Sequence, residues 1–183
     1  MKVFRTLIVK IIFLILCFKN ITFITAVTIK FTKIECNEFD KTFIAFKSCY
    51  LKVWNRNNIG LNLHVRLLKT PVDNVMVNAG FYIKTSSQRY SPYMYNTTLN
   101  FCRFVKNPNR YIHWKLLYYI IRDNSNVNHS CPYNHDLIVS NLSLNSQMLL
   151  PVPLPTGDYL VKFQAGIHKD LKGAVSTYFN VKE

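Results

Sequence analysis

Ile59-Gly60-Leu61-Asn62-Leu63-His64-Val65-Arg66-Leu67 decides the fold. Ile59, Leu61, Leu63, Val65 and Leu67 fall on one side of an extended chain, and Gly60, Asn62, His64 and Arg66 on the other. A period of two is that of a strand with one buried and one wet face. Downstream, Val75, Val77, Ala79, Phe81 and Ile83 alternate with Met76, Asn78, Gly80 and Tyr82. Thr70-Pro71-Val72-Asp73-Asn74 supplies a turn between the two stretches, so they are expected to pair as a hairpin.

The same period returns near the C-terminus in Tyr159, Val161, Phe163, Ala165 and Ile167, with Lys162, Gln164 and His168 opposite. A turn is expected at Lys169-Asp170-Leu171-Lys172-Gly173, before a last strand carrying Val175, Phe179 and Val181. Residues 28–35 and 43–54 read as two further strands, and 93–99 and 136–142 as two more. About eight short strands in one unit predict a mainly β fold, an antiparallel two-sheet β-sandwich over residues 27–183.

One stretch departs from this period. Trp114, Leu117, Tyr118 and Ile121 recur at helical spacing, with a start signal at Asn107-Pro108-Asn109 and a stop at Asp123-Asn124-Ser125-Asn126. A short helical insertion over 109–122, preceded by a turn near Phe101–Phe104, is expected between strands. Arg103, Lys106, Arg110, Lys115 and Arg122 make its outer side basic. Such a helix reads either as a lid or membrane-touching element, or as an ordinary amphipathic helix covering one edge of the sandwich.

The cysteines fix the compartment. Cys17 lies in the apolar run Ile11–Phe18, behind the cations Lys2, Arg5 and Lys10. That order of a positive region and a short apolar run reads as a secretory signal over 1–26, cleaved after Ala26. A spanning helix needs about 20 mainly apolar residues, which the segment reaches only by including Lys10, Lys19 and Asn20. The mature chain then has no transmembrane segment and keeps Cys36, Cys49, Cys102 and Cys131. An even count in a secreted chain reads as two disulfides, with three possible connectivities. Cys36 and Cys49 lie symmetrically about the turn between the first two strands, which suits a cross-strand or end-of-strand bridge. Cys102 and Cys131 lie before and after the helix, so a bridge between them would staple both ends of the insertion to the sheet. A closed loop of that size is worth on the order of 3–4 kcal/mol.

The N-x-[ST] sites at Asn96, Asn128 and Asn141 agree with secretion and predict glycosylated, solvent-facing asparagines. The formal charge is +14; Lys2, Arg5, Lys10 and Lys19 account for four of it, leaving +10 on the mature domain. Such a balance suits an anionic surface or glycan, or serves solubility alone. Nucleic acid is not an expected partner of a secreted chain.

The chain holds no nucleophile elbow, no H-E-x-x-H and no phosphate-binding glycine loop, and it is read as a non-enzyme without a cofactor. His129, Cys131 and His135 have the spacing of metal ligands, but zinc would require Cys131 to be free. No metal site is expected.

Several segments together resemble one family. They are Phe31–Cys36, Cys49–Val53, Tyr95–Cys102, Asn107-Pro108, Asn128-His129-Ser130-Cys131-Pro132-Tyr133 and Leu154-Pro155-Thr156-Gly157-Asp158-Tyr159. They resemble a large family of secreted insect proteins, mostly uncharacterised, that includes the chemosensory CheB proteins. Cys131-Pro132, a proline-rich run and Gly157-Asp158-Tyr159 are also similar to the ML lipid-recognition fold, a sandwich able to hold a lipid between its sheets. The resemblance implies the pairings Cys36–Cys49 and Cys102–Cys131. The leading expectation is a secreted binding protein for a lipid or other hydrophobic small molecule; the resemblance implies a chemosensory setting, since roles in pheromone response are proposed for some family members. Leu63, Val65, Val77, Phe81, Phe163 and Phe179 would line its pocket, and Trp114 would border the mouth. The alternative is an extracellular interaction module with a solid core, acting on a receptor or an anionic matrix through its basic, glycosylated surface.

Overall fold

In the computed structural model the described residues are 27–56, 58–149, 154–167 and 170–183. The signal reading of 1–26, with Cys17, lies outside them, as do His168, Lys169 and the prolines at 151 and 153.

The alternating stretches become strands β1 (Thr28–Glu38), β2 (Ile44–Asn55), β3 (Asn58–Leu67), β4 (Met76–Lys84), β5 (Tyr90–Asn100), β6 (Leu137–Ser143), β7 (Gly157–Ile167) and β8 (Asp170–Lys182). They form two antiparallel sheets, one ordered β1-β8-β7-β4-β5 and the other β2-β3-β6. The fold is a β-sandwich. The sheets approach each other most closely where β1 faces β2 and β3.

Two expected hairpins are not formed. β3 stays in the small sheet, whereas β4 lies in the large one between β7 and β5. The segment between them crosses the sandwich instead of turning back, and it is held halfway by Val72 and Tyr133, whose N–H groups each donate to the other's carbonyl at 2.8 Å. Alternation says which face of a strand is buried; it does not say which strand lies alongside. For the same reason β1 and β2, read as flanking a simple turn, belong to different sheets. The Cys36–Cys49 bond therefore ties one sheet to the other, not two strands within a sheet.

The expected turn at 169–173 is also revised, because β8 already begins at Asp170. Gly173 is paired with Ala165 on one side and Glu38 on the other, and the Ile44 side chain of the facing sheet fills the space a Cβ would take. Its lack of a side chain serves close approach between sheets, not chain reversal. Lys172 lies between Asp40 and Asp170, and its side chain is 14% exposed.

The inner faces meet in an aromatic core. Phe31, Phe81, Tyr159 and Phe179 pack with Ile29, Leu61, Leu142, Val161 and Val181. Tyr159 and Phe179 stack at 5.3 Å between ring centroids, and Phe81 lies 5.7 Å from Tyr159. Fully burying each such side chain is worth about 1.5–3 kcal/mol. Tyr159 is wholly buried, so its hydroxyl needs a partner, and it donates to the Pro155 carbonyl at 2.7 Å.

The insertion is two helices, α1 (Phe101–Lys106) and α2 (Ile112–Arg122), joined by a 3-10 turn at Pro108–Arg110. Asn100 caps α1 by accepting from the Arg103 N–H at 2.9 Å, a signal that the expected turn near 101–104 overlooked. The single helix expected over 109–122 starts later, at Ile112, because Tyr111 leaves helical geometry at φ −133° and ψ 78°. Trp114 and Tyr118 are buried on one face of α2, with Leu117 and Ile121 packed beside them, as their spacing predicts. The Cys102–Cys131 bond closes the insertion.

The bridges span 13 and 29 residues, for which loop entropy gives roughly 3 and 3.5 kcal/mol. Cys102→Ser/Cys131→Ser should therefore lower the unfolding free energy in denaturant by about 3 kcal/mol. A loss below about 1 kcal/mol would show that other contacts hold the insertion in place.

Candidate functional site

The insertion bridges the gap between two edge strands. On the large-sheet side, Trp114 Nε1 donates to Thr97 Oγ1 of β5 at 2.9 Å. On the small-sheet side, Ser140 N–H of β6 donates to the Asn124 carbonyl at 2.8 Å, and Ile138 N–H donates to Asn126 Oδ1 at 2.8 Å. Phe104, Trp114 and Tyr118 pack against Ala79 and Leu99 to make a second apolar cluster. The helices so placed form a third wall between the sheets.

Inside these walls lies a cavity of about 340 Å³. Both sheets line it, with Leu63 and Val65 from β3, Val77 and Phe81 from β4, Phe163 from β7 and Phe179 from β8. The helices add Phe104, Trp114, Leu117 and Tyr118. The aromatic core closes one end through Phe31, Phe81 and Phe179. At the other end lie Phe43, Leu67, Leu137, Ile138 and Lys172, where β2, β6 and β8 begin and β3 ends. Leu63 and Phe163 sit in mid-strand and Val77 near the start of β4, yet all three are only half-buried, because they border open space.

All seven residues expected at a pocket are thus brought to one cavity wall. Trp114 is part of the wall facing the sheets and is 6% exposed. Sequence reasoning missed Phe43, Tyr133 and Lys172 as lining residues. The first two sit in connecting segments where no period exists, although Tyr133 follows the Cys131-Pro132 step.

The chemistry of the wall is nearly uniform. Among the described residues its side-chain donors are Trp114, Tyr118, Tyr133, Lys172 and Thr177. Each has an internal partner. Tyr118 donates to the Val127 carbonyl at 3.4 Å, Tyr133 to the His129 carbonyl at 2.6 Å, and Thr177 to the Val161 carbonyl at 3.2 Å. Lys172 Nζ contacts Asp40 Oδ2 at 2.8 Å and Asp170 Oδ2 at 2.5 Å. Hydrogen bonds from Lys172 and Thr42 hold the Asp40 carboxyl well below the usual range, and the two carboxylates hold the Lys172 ammonium protonated. Burial pushes the Tyr133 phenol up to about 12, with a smaller push from Tyr118.

Cys131 is bonded to Cys102, so it is not a metal ligand. His129 and His135 instead face each other, Nε2 to Nε2, at 2.7 Å. Among the described residues no group of three or more His, Cys, Asp or Glu side chains is placed to hold a metal ion. Asn96, Asn128 and Asn141 are all exposed. No helix among the described residues is long and apolar enough to cross a membrane.

Residues 77–161 match the model of a family described as a protein of unknown function, DUF1091. The match runs from the second residue of β4 into the middle of β7 and contains the whole helical insertion with its disulfide. Comparison with curated proteins finds no match.

Two outcomes follow from this wall. Thr97→Val leaves the Trp114 indole N–H buried without its acceptor, which should cost about 1–3 kcal/mol in equilibrium unfolding; a change within a few tenths would mean the bond is dispensable. The second concerns alkali. Tyr133 has a pKa raised from 10 to about 12 in the folded chain, so the folded state binds that proton more tightly than the unfolded state. The resulting stability is fully present below pH 10 and is lost as the pH rises toward about 12. The decline in Tm over that window should be shallower in Tyr133→Phe, and an unchanged decline would assign it to other groups.

Proposed function

We propose that this chain is a secreted, non-enzymatic binding protein that encloses a lipid or another hydrophobic small molecule between its sheets. The observation that carries this reading is the cavity of about 340 Å³ behind an almost wholly apolar wall. Ligand pockets run from about 300 to 1,000 Å³. An engineered apolar cavity of about 150 Å³ stays dry and takes up benzene. An apolar occupant would keep water off this wall, whose lining side chains are almost all hydrocarbon.

Absence of catalysis is part of the same reading. The polar side chains of the wall are engaged with backbone carbonyls or with Thr97, Asp40 and Asp170, and none is paired as nucleophile with base. The two disulfides suit an oxidising compartment, and the signal reading and exposed sequons support secretion. The resemblance to the CheB-containing insect family and to the ML fold supports the same function in a chemosensory setting. The rival interaction module needs a filled core, which a space of this size disfavours.

Native mass spectrometry of protein secreted from insect cells should show a mass excess that organic extraction removes. Val65→Phe/Val77→Phe, which fills the cavity from two strands, should keep the fold and lose uptake of N-phenylnaphthylamine by at least tenfold. A folded filled variant that takes up the dye as well as the parent would place binding elsewhere and sink the reading.

A further inference from the structure

We infer that the cavity selects long-chain ligands that carry no charge, hydrocarbons or lipids with a neutral head, and rejects carboxylates. This rests on the reading that the cavity holds a hydrophobic molecule, and it names the class. A fatty acid anion entering such a site needs a cation or free donors at its head. Among the described residues Lys172 is the one charged side chain of the wall. Its ammonium already faces Asp40 at 2.8 Å and Asp170 at 2.5 Å, and it lies 5.4 Å from the centre of the Phe43 ring. One positive charge is thus shared between two negative ones, and the cluster as a whole is anionic. Asp40 is itself fixed by the Thr42 N–H at 2.9 Å and hydroxyl at 2.7 Å, so it does not swing away to free the lysine.

The remaining side-chain donors of the wall are committed as well. The Trp114 indole, the Tyr118 and Tyr133 phenols and the Thr177 hydroxyl all donate within the protein. A carboxylate in this cavity would lose its water and gain no partner, which is strongly unfavourable. A hydrocarbon chain loses nothing polar on entering. A hydroxyl or ester at the chain end has a smaller desolvation cost and no repulsion from Asp40 and Asp170.

The test is displacement of N-phenylnaphthylamine by tetradecane, tetradecanol and tetradecanoate at mildly alkaline pH, where the acid is ionised. The neutral ligands should displace the dye at concentrations at least tenfold lower than the anion. Comparing alkane with alcohol separates a pure hydrocarbon ligand from a neutral-headed one. Asp40→Asn/Asp170→Asn keeps the carbonyl acceptor for Thr42 and frees the Lys172 charge. It should bring tetradecanoate to within about threefold of tetradecanol while leaving tetradecanol unchanged. Parent protein that binds tetradecanoate as tightly as tetradecanol overturns the inference, even if the double variant does not fold. So does a folded double variant with an unaltered preference. A parent that binds neither the dye nor any of the three chains overturns the underlying reading, and this inference falls with it.

Discussion

The structure depends on how its two sheets are kept at their separation. Along one side they are tied directly, by the Cys36–Cys49 bond between β1 and β2. Along the other side they are bridged by α1, α2 and the segment that follows α2: Trp114 of α2 bonds to β5, and Asn124 and Asn126 of that segment bond to β6. The Cys102–Cys131 bond closes that bridge at its base. A sandwich whose sheets met evenly would fill its middle with interdigitated side chains. Here a short tie on one side and a helix-wide spacer on the other leave room between Leu63, Val77, Phe163 and Trp114.

That room has energetic meaning only because of what surrounds it. The aromatic core at one end, built on Phe81, Tyr159 and Phe179, is packed at ring distances of 5.3–6.0 Å and supplies the cohesion that a small domain needs. The cavity lies beside this core, not in place of it. The fold therefore keeps a packed half and an open half, and among the described residues the one charged side chain of the wall is Lys172, at the end where it meets Asp40 and Asp170.

Much of this architecture can be read in the sequence, and the unread part has a common cause. Alternation at 59–67 and 159–167 locates β3 and β7 and their buried faces, and helical spacing from Trp114 to Ile121 locates α2. These are local signals. Which strands pair is not local, so β3 with β4 reads as a hairpin although the chain crosses from sheet to sheet at Val72. Gly173 and Lys172 read as a turn because glycine and charge usually mark one. Their actual roles depend on Ile44, Asp40 and Phe43, far away in sequence. The seven residues read as pocket candidates do share one cavity wall, yet the same alternation would describe a solid core. Volume is set by the spacing of the sheets, and no single strand encodes it.

The most direct measurement is a crystal structure of the protein as secreted from insect cells, refined without any added ligand. Elongated density between the sheets, running from the Phe163–Trp114 wall toward Lys172 and unexplained by protein atoms, is the expected result. Side chains of β3, β4 and α2 closed upon one another, with no space between them, would contradict it.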